Sequence, residues 1–379
     1  MNILMVNTLP IPSGQASVNR LLSLAKGMVE QNVNVTILST GKGIDNKFHN
    51  MDGVKYCNLQ RNGNKIVSLL KSLFILVLYI RKNKSTIDAI WLVSNSLFII
   101  YPLWFVCKAF KIPYIQEKSE FPFVLMRKGI IANAWAFIYT YTTYKLFDGM
   151  IVMTQPLMDY FRPLVRARCK LVKIPMTVDI SRFDSVPSNN QYGDYAAYCG
   201  YMGGNKDGVE NLLEAFTFVE KKYPKFKLIL AGSASSNEEF EKLKNKAKDL
   251  GLKNVIFAGR VNRNEIPTLL CNAKVLCLAR PYSLQSSGGF PTKLGEYLCT
   301  GNPVVVTAVG DIPNYLNRSN SFIVEPDDNK AFGKEIIKIL DNYEYAKSVA
   351  AKGKITAKEN FDGRIQALRL VEFFNKTIK

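Results

Sequence analysis

Residues 279–310 read ARPYSLQSSGGFPTKLGEYLCTGNPVVVTAVG. The stretch falls into four pieces: the end of an apolar strand, a Ser/Gly run, a short helix and a second apolar strand. Ser286, Ser287, Gly288 and Gly289 leave the backbone nearly bare, and Pro291, with its φ fixed and no N–H, suits a first helical turn. Leu294, Tyr297 and Leu298 share one helical face, and Gly301 stands where helices end in a left-handed residue. A bare loop running into a helix N-terminus aims amide dipoles at one point, which favours an anion. Glu296, one turn in and off the apolar face, is placed to accept hydrogen bonds from the hydroxyls of a ligand whose phosphates lie on the loop. A capped surface helix with Glu296 paired to Lys293 would use the same residues.

The same alternation continues on both sides. YAAYCGYM (195–202), KLILAGSA (227–234), NVIFAGRV (254–261), AKVLCLAR (273–280), PVVVTAVG (303–310) and SFIVEP (321–326) are short and almost wholly apolar. Such strands belong to a parallel sheet covered on both faces. Val209, Leu212, Leu213, Phe216 and Val219 recur at helical spacing after the first of them, as core residues do. In the amino-terminal half, strand 2–7 leads through a loop containing Gly14 to a helix from about 18 to 31 with Ser17 as its cap, then to the strand VNVTILST. Residues 41–64 read as polar and irregular, and hold the single histidine, His49, as a surface residue. An apolar helix follows, then strand 88–94, helix 97–110, strand 112–116, helix 132–145, strand 149–154, helix 155–162 and strand 170–175. The charged segment Glu117, Lys118, Ser119, Glu120 falls just past a strand's carboxyl end, where open α/β sheets bind ligands, and a solvated loop would read the same way. SVPSNNQYGD has a linker's composition, which sets a hinge at 184–194. After Phe322 come a polar turn and two helices, the last from about 363 to 377.

The order of small loop residues, Phe290, Glu296, Gly301, Pro303 and a Val run resembles the donor-site motif of the retaining GT-B glycosyltransferases of family 4. The family carries two glutamates eight positions apart, the second contacting the ribose and the first the transferred sugar. Glu296 matches the second, whereas the first position is Gly288. In GYMGGNKDG the resemblance makes Lys206 the lysine that neutralises the leaving diphosphate. The family's companion arginine is Tyr201 here, which leaves Arg280 or Lys293 to replace it. The resemblance further implies that Gly14, Gly200, Gly232, Val261, Ser287, Gly288, Gly289, Phe290, Thr292 and Lys293 line the nucleotide-sugar site, with Val261 beside the base. The catalytic set is then Lys206, Glu296 and Glu120, the last as an acceptor-side base where the family often has His or Asp.

Composition sets the limits. At 379 residues, 47% hydrophobic and 21% charged, the chain is globular and long enough for two cores. Seven cysteines, with no Cys-x-x-Cys, read as small core hydrophobes of a reduced compartment, which argues against a disulfide framework or a zinc site. The chain opens on a strand, so no signal peptide is expected, and apolar runs 66–80 and 97–110 fall short of the ~20 residues that span a bilayer. Of the net charge of +19, residues 1–180 carry +13, from 22 Lys/Arg against 9 Asp/Glu. A basic half with apolar helices suits an anionic membrane surface. No basic stripe interleaved with aromatics points to nucleic acid.

The expected architecture is therefore α/β, a GT-B pair of Rossmann-like doubly wound domains facing an inter-domain cleft. Residues 1–185 form the acceptor side, 186–362 hold the nucleotide sugar, and helix 363–379 packs back on the first domain. The expected reaction moves a sugar, with retention, from a nucleoside diphosphate to an acceptor hydroxyl. The acceptor would be a lipid-linked or growing saccharide of bacterial envelope or exopolysaccharide synthesis, at the cytoplasmic face of the inner membrane. No Asp-x-Asp occurs, so neither a metal nor any other cofactor is expected. A sugar-nucleotide epimerase on the same fold, or a nucleotide-binding protein without activity, would also account for Gly288 and Tyr201.

Overall fold

The computed structural model describes residues 1–13, 15–42, 46–60, 64–122, 130–189 and 191–378, in two compact units. One comprises 1–177 with 363–379, the other 178–362.

The first unit runs β1 (Asn2–Asn7), α1 (Ala16–Val29), β2 (Asn34–Lys42), β3 (His49–Met51), β4 (Val54–Gln60), α2 (Lys65–Lys82), β5 (Ala89–Val93), α3 (Leu97–Phe110), β6 (Tyr114–Lys118), α4 (Ile130–Tyr141), β7 (Gly149–Val152), α5 (Gln155–Phe161) and β8 (Lys170–Lys173). The sheet order is β3-β4-β2-β1-β5-β6-β7-β8, parallel except where β3 meets β4. Central strands are buried on both faces, with Met5, Val6, Trp91, Leu92, Ile151 and Val152 fully enclosed. Because parallel crossovers are right-handed, α2, α3, α4 and α5 cover one face and α1 the other.

Three sequence expectations need correction here. Part of 41–64 is a hairpin rather than irregular chain. Asp52 (φ 51°) and Gly53 (φ 82°) make the left-handed Asp-Gly turn that joins β3 to β4, and Val54, Cys57 and Leu59 point inward. β6 starts at Tyr114, not Ile112, because Pro113 has no N–H to give the ladder. Glu117 and Lys118 thus stand on the strand itself. Gln15, not Ser17, caps α1, without a side-chain bond.

The second unit runs β9 (Tyr195–Tyr201), α6 (Val209–Lys222), β10 (Lys227–Ser233), α7 (Asn237–Asp249), β11 (Val255–Gly259), α8 (Ile266–Cys271), β12 (Val275–Leu278), α9 (Leu284–Gly288), α10 (Thr292–Cys299), β13 (Val304–Thr307), β14 (Phe322–Val324), α11 (Asn329–Asp341) and α12 (Tyr343–Phe361). All six strands are parallel, in the order β11-β10-β9-β12-β13-β14. The order reverses between β9 and β12, which makes that gap the topological switch point of a doubly wound sheet. Val209, Leu212, Leu213, Phe216 and Val219 are buried under α6.

Three helices, not two, follow β14. Asn342 caps α12 by accepting from the Tyr345 amide at 3.3 Å, which ends α11, and extended Asp362 separates α12 from α13 (Gly363–Ile378). α13 belongs to the first unit and packs on α1, where Gly27 has no Cβ to hold it off Ala367 and Gly363. Ala367, Leu370, Phe373 and Phe374 of α13 complete the core that Ile3, Leu24 and Trp91 begin. The run 184–194 lies along the second unit, with the Asn189 amide donating to Asn272 Oδ1 (2.8 Å) and Asn272 Nδ2 to the Pro187 carbonyl (3.1 Å).

Candidate functional site

At the switch point the chain leaves β9 at Tyr201, makes a short turn at 203–205 and enters α6 through Lys206, Asp207 and Gly208. Gly208 takes φ 72° with its Cα against the Ala279 carbonyl, so that a Cβ there would strike the exit of β12. This close approach presses Asp207 against Arg280, the residue on which β12 gives out. Both are buried, at 6% and 2% side-chain exposure.

Asp207 gathers the charges. Its Oδ2 accepts from Lys293 Nζ of α10 and from Tyr198 Oη (3.2 Å), and its Oδ1 lies 3.5 Å from Arg280 Nε. Burial pushes the Asp207 carboxyl up, but Lys293, Arg280 and neighbouring Lys206 outweigh it and hold the group below the ordinary aspartate range. Two cations thus touch one carboxylate, and a third, Lys206, adjoins it in sequence. Gly200 makes the arrangement possible, because a Cβ at that position would overlap the Lys293 side chain. Gly232, opposite it on β10, has φ 138° and lies against the Gly200 carbonyl, so the two strand exits touch backbone to backbone. Val261, partly buried, follows the end of β11.

The Ser/Gly run corrects the sequence reading. Instead of a bare loop it forms α9, because Ser283 and Ser286 make a reciprocal capping box: Ser283 Oγ accepts the Ser286 amide at 3.0 Å and Ser286 Oγ the Ser283 amide at 2.8 Å. The Ser287 and Gly289 amides are spent on Ser283 O (2.9 Å) and Gln285 O (3.1 Å), and Gly288 is buried inside the turn. Phe290 is a core residue, packed on Tyr315 and Phe361 with ring centroids 5.6 and 5.5 Å away, and touches no open surface to speak of at 5% exposure. The amides that open α10, Thr292 and Lys293, have no acceptor one turn earlier in that helix. The helix N-terminus beside these cations is therefore that of α10, beginning at Thr292.

Glu296 is off the buried face of α10 but does not pair with Lys293. Its Oε1 accepts from Arg182 Nη1 at 2.9 Å, while Arg182 Nη2 donates to the Arg263 carbonyl at 2.7 Å. Crowded by protein, the Glu296 carboxyl is pushed above the ordinary glutamate range despite Arg182, Arg263 and Lys293. One edge of the side chain still reaches solvent, at 28% exposure. Among the described residues its Oε2 takes no hydrogen bond.

The sequence reading brought Lys206, Lys293, Gly200 and Glu296 to this place and missed Asp207 and Arg182. Asp-Gly ahead of α6 looks like a turn, and only the Gly208–Ala279 contact reveals that its carboxylate is enclosed.

In the first unit, the carboxyl end of β6 carries a different arrangement. Glu117 is closed in a buried pair with Arg20 (2.8 Å), whose guanidinium also donates to Ile174 O (2.8 Å) and to Pro175 O. Lys118 is buried beside it, bonded to Asn95 Oδ1 at 2.6 Å and 5.3 Å above the rings of both Tyr139 and Tyr144. Burial lowers its ammonium to about 7. Glu120, two residues on, is partly buried in a bend. Gly14 lies outside the described residues. Among those described, no group of three or more His, Cys, Asp or Glu is placed to hold a metal.

Residues 195–356, nearly the whole of the second unit, match the family described as glycosyl transferases group 1. No curated protein matches the chain by sequence. Solved structures match it over both units. Sucrose-phosphate synthase of Thermosynechococcus elongatus superposes with a TM-score of 0.76 at 15% identity, covering 99% of this chain and 98% of that one. Anabaena HepE in complex with UDP-glucose gives 0.75 at 16%, covering 99% and 100%. A glycosyltransferase of Rickettsia africae gives 0.74 at 17%, covering 100% and 98%. At such identities the likeness establishes the fold, and the family match is confined to the second unit. The chain has the GT-B fold, and its second unit carries a region that matches the family described as glycosyl transferases group 1.

Proposed function

We propose that the second unit binds a nucleoside-diphosphate sugar at the β9/β12 switch point and transfers the sugar, with retention, to a hydroxyl of an acceptor held by the first unit. The observation that carries this reading is the excess of positive charge around Asp207 beside the N-terminus of α10. As the bond from the anomeric carbon to the diphosphate breaks, negative charge grows on the leaving phosphate oxygens. Lys206, Lys293 and the first amides of α10 are fixed to receive it, and fixed donors in a water-poor site are the largest common source of rate enhancement. The acceptor oxygen forms its bond to the anomeric carbon on the face the diphosphate leaves. Its proton passes to a leaving phosphate oxygen, so no protein nucleophile is consumed.

Asp207 has a positioning role, holding Lys293 and Arg280 without bonding the donor. Glu296 Oε2 accepts from the ribose hydroxyls, with Arg182 setting the carboxylate's angle. Gly200 and Gly232 let the diphosphate approach the strand exits, and Val261 offers backbone to the base. Ser287, Gly288 and Gly289 contribute the wall of α9, and Gly288 leaves the sugar without the family's first glutamate. Glu120 is assigned to the acceptor hydroxyl. The reaction is proposed to need no resident metal. Because HepE holds UDP-glucose on the same fold, a uridine donor is the first choice to try. The acceptor is taken to be a lipid-linked saccharide at the cytoplasmic membrane face, in keeping with the basic first 180 residues.

A thermal-shift panel of nucleotide sugars, followed by assay of nucleoside-diphosphate release, tests the proposal. A true donor at ~100 times its dissociation constant adds ~2.7 kcal/mol to stability. If no nucleotide sugar raises the melting temperature, the donor site is misassigned. Isomerisation of the bound sugar without any acceptor would instead mark an epimerase.

A further inference from the structure

The outer surface of the first unit departs from the usual distribution of side chains. α2, α3 and α4 cover the same face of the sheet. α2 packs beside α3, and α3 meets α4 through the Phe98–Trp135 ring contact (6.3 Å) and the bond from Tyr101 Oη to Thr142 Oγ1 (2.7 Å) at the end of α4. α2 and α3 each bury one apolar stripe and present a second outward, and α4, among its described side chains, buries Tyr139 and turns others outward. On α2, Leu70 and Phe74 stand 61% and 65% exposed; on α3, Phe98 and Phe105 are 66% and 63% exposed; on α4, Phe137 and Tyr141 are 63% and 58% exposed. The spacings, i to i+4 on α2 and α4 and i to i+7 on α3, set each pair on one side of its helix. Scattered exposed apolar residues are ordinary in soluble proteins, but a contiguous patch across three adjacent helices is not.

Charge identifies what covers it. Not one Asp or Glu occurs in any of the three helices, and residues 65–112 hold seven Lys or Arg against the single Asp88. Lys65 and Lys71 stand in the first half of α2, and the other five gather at one edge. Crossover helices of a parallel sheet run the same way, so Arg81, Lys82 and Lys108 in last turns, and Lys84, Lys111 and Lys145 just past helix ends, share one edge of the layer. An apolar face bordered by cations and free of anions complements a bilayer of anionic lipid, with rings in the acyl boundary and ammonium groups among the phosphates. A second copy of this face would offer the cationic edge no partner, since none of the three helices carries an Asp or Glu. No described helix is long and apolar enough to cross a membrane, so the contact is one of lying on the surface.

We infer that the outer face of α2, α3 and α4 docks the protein flat on an anionic membrane. The inference rests on the proposed function only in its choice of a lipid-linked acceptor. The amino ends of the same helices adjoin the carboxyl edge of the sheet, so a docked unit holds Glu120 and Lys118 at the edge bordering the bilayer.

The test is co-sedimentation of the full chain with vesicles of phosphatidylcholine alone and of phosphatidylcholine and phosphatidylglycerol in equal parts. Two variants accompany it, Phe74→Ser/Phe105→Ser/Phe137→Ser and Arg81→Glu/Lys82→Glu/Lys108→Glu. The altered side chains are exposed, so both variants keep the parent's melting temperature and its thermal shift with nucleotide sugar in vesicle-free buffer. The parent is expected to favour the anionic vesicles by tenfold or more, and each variant to lose roughly tenfold or more of that partition. Equal partition of parent and variants overturns the inference. So does a parent that ignores vesicles but dimerises in sedimentation velocity, with the serine variant monomeric, which would make the face a protein interface. Nucleotide-sugar binding is read separately, so loss of the donor assignment and loss of the membrane face give different results.

Discussion

The carboxyl edges of the two sheets carry opposite solutions to the same problem. Each brings ionised side chains out of water at the place where doubly wound sheets bind ligands. In the first unit Arg20 and Glu117 cancel each other, the remaining donors of Arg20 are taken up by backbone carbonyls, and Lys118 is left as an amine whose proton is loosely held. In the second, Asp207 is outnumbered by Lys206, Arg280 and Lys293, and its carboxyl is held ionised. A neutral edge suits a polyhydroxyl acceptor, and a cationic one suits a diphosphate. The difference shows why two similar sheets need not be interchangeable: what each can bind is set by the balance of a few buried charges.

Asp207→Asn should break the contrast most completely. Removing the carboxylate leaves Arg280 and Lys293 enclosed without an anion, a loss of about 3 kcal/mol or more by comparison with other broken buried pairs, and transfer should fall ~100-fold. Urea unfolding and initial rates of nucleoside-diphosphate release measure the two effects; unchanged stability would mean that the cations had never depended on Asp207. Lys293→Met should lower the rate of transfer by roughly 100-fold, in kcat more than in KM, since the ammonium acts chiefly on charge that develops in the transition state. A change confined to KM would make Lys293 a ground-state contact. Glu296→Gln should be milder, weakening the donor roughly tenfold while a nucleotide lacking both ribose hydroxyls binds parent and variant alike.

The smallest effect sharpens the other side of the comparison. The folded chain holds Lys118 at about 7, whereas in an unfolded chain lysine titrates near 10.4. Between those values the unfolded state binds the proton and the folded state does not, so this group makes stability rise with pH across the window. Lys118→Met should remove that rise, by at most about 1.4 kcal/mol per pH unit, and should raise stability at and below pH 7. Chemical denaturation at pH 7 and pH 9 reads it. Parallel pH slopes in parent and variant would show that the buried lysine remains charged.

Much of this was legible in the chain itself. Twelve of the fourteen strands among the described residues follow from short apolar runs, and the six of the second unit stand where they were expected, because strands buried on both faces need no polar alternation. The hairpin of β3 and β4 was lost in a polar stretch whose one plain signal was Asp-Gly. The Ser/Gly run misled for a physical reason: glycine permits a loop but does not require one, and the Ser-Leu-Gln-Ser cap decided for helix. Glu296 was singled out from its place one turn into a helix, and Lys206 and Lys293 from the family resemblance. Asp207 and Arg182 were not, since a charged residue next to a turn looks solvated until tertiary contacts enclose it. Likewise, periodicity reported α2 and α3 as apolar but not which of their stripes would be left outside.

The first unit is discontinuous in sequence. Val178 and Asp362 lie bridged side by side, with the Val178 amide donating to Phe361 O at 2.8 Å, so the 185 residues between Thr177 and Gly363 begin and end at one point. During synthesis, then, the eight strands that leave the ribosome first cannot close their core until α13 delivers Leu370, Phe373 and Phe374. The unit that begins first thus completes its core last, and an apolar interior left open in the meantime is the kind of surface that aggregates or binds chaperones.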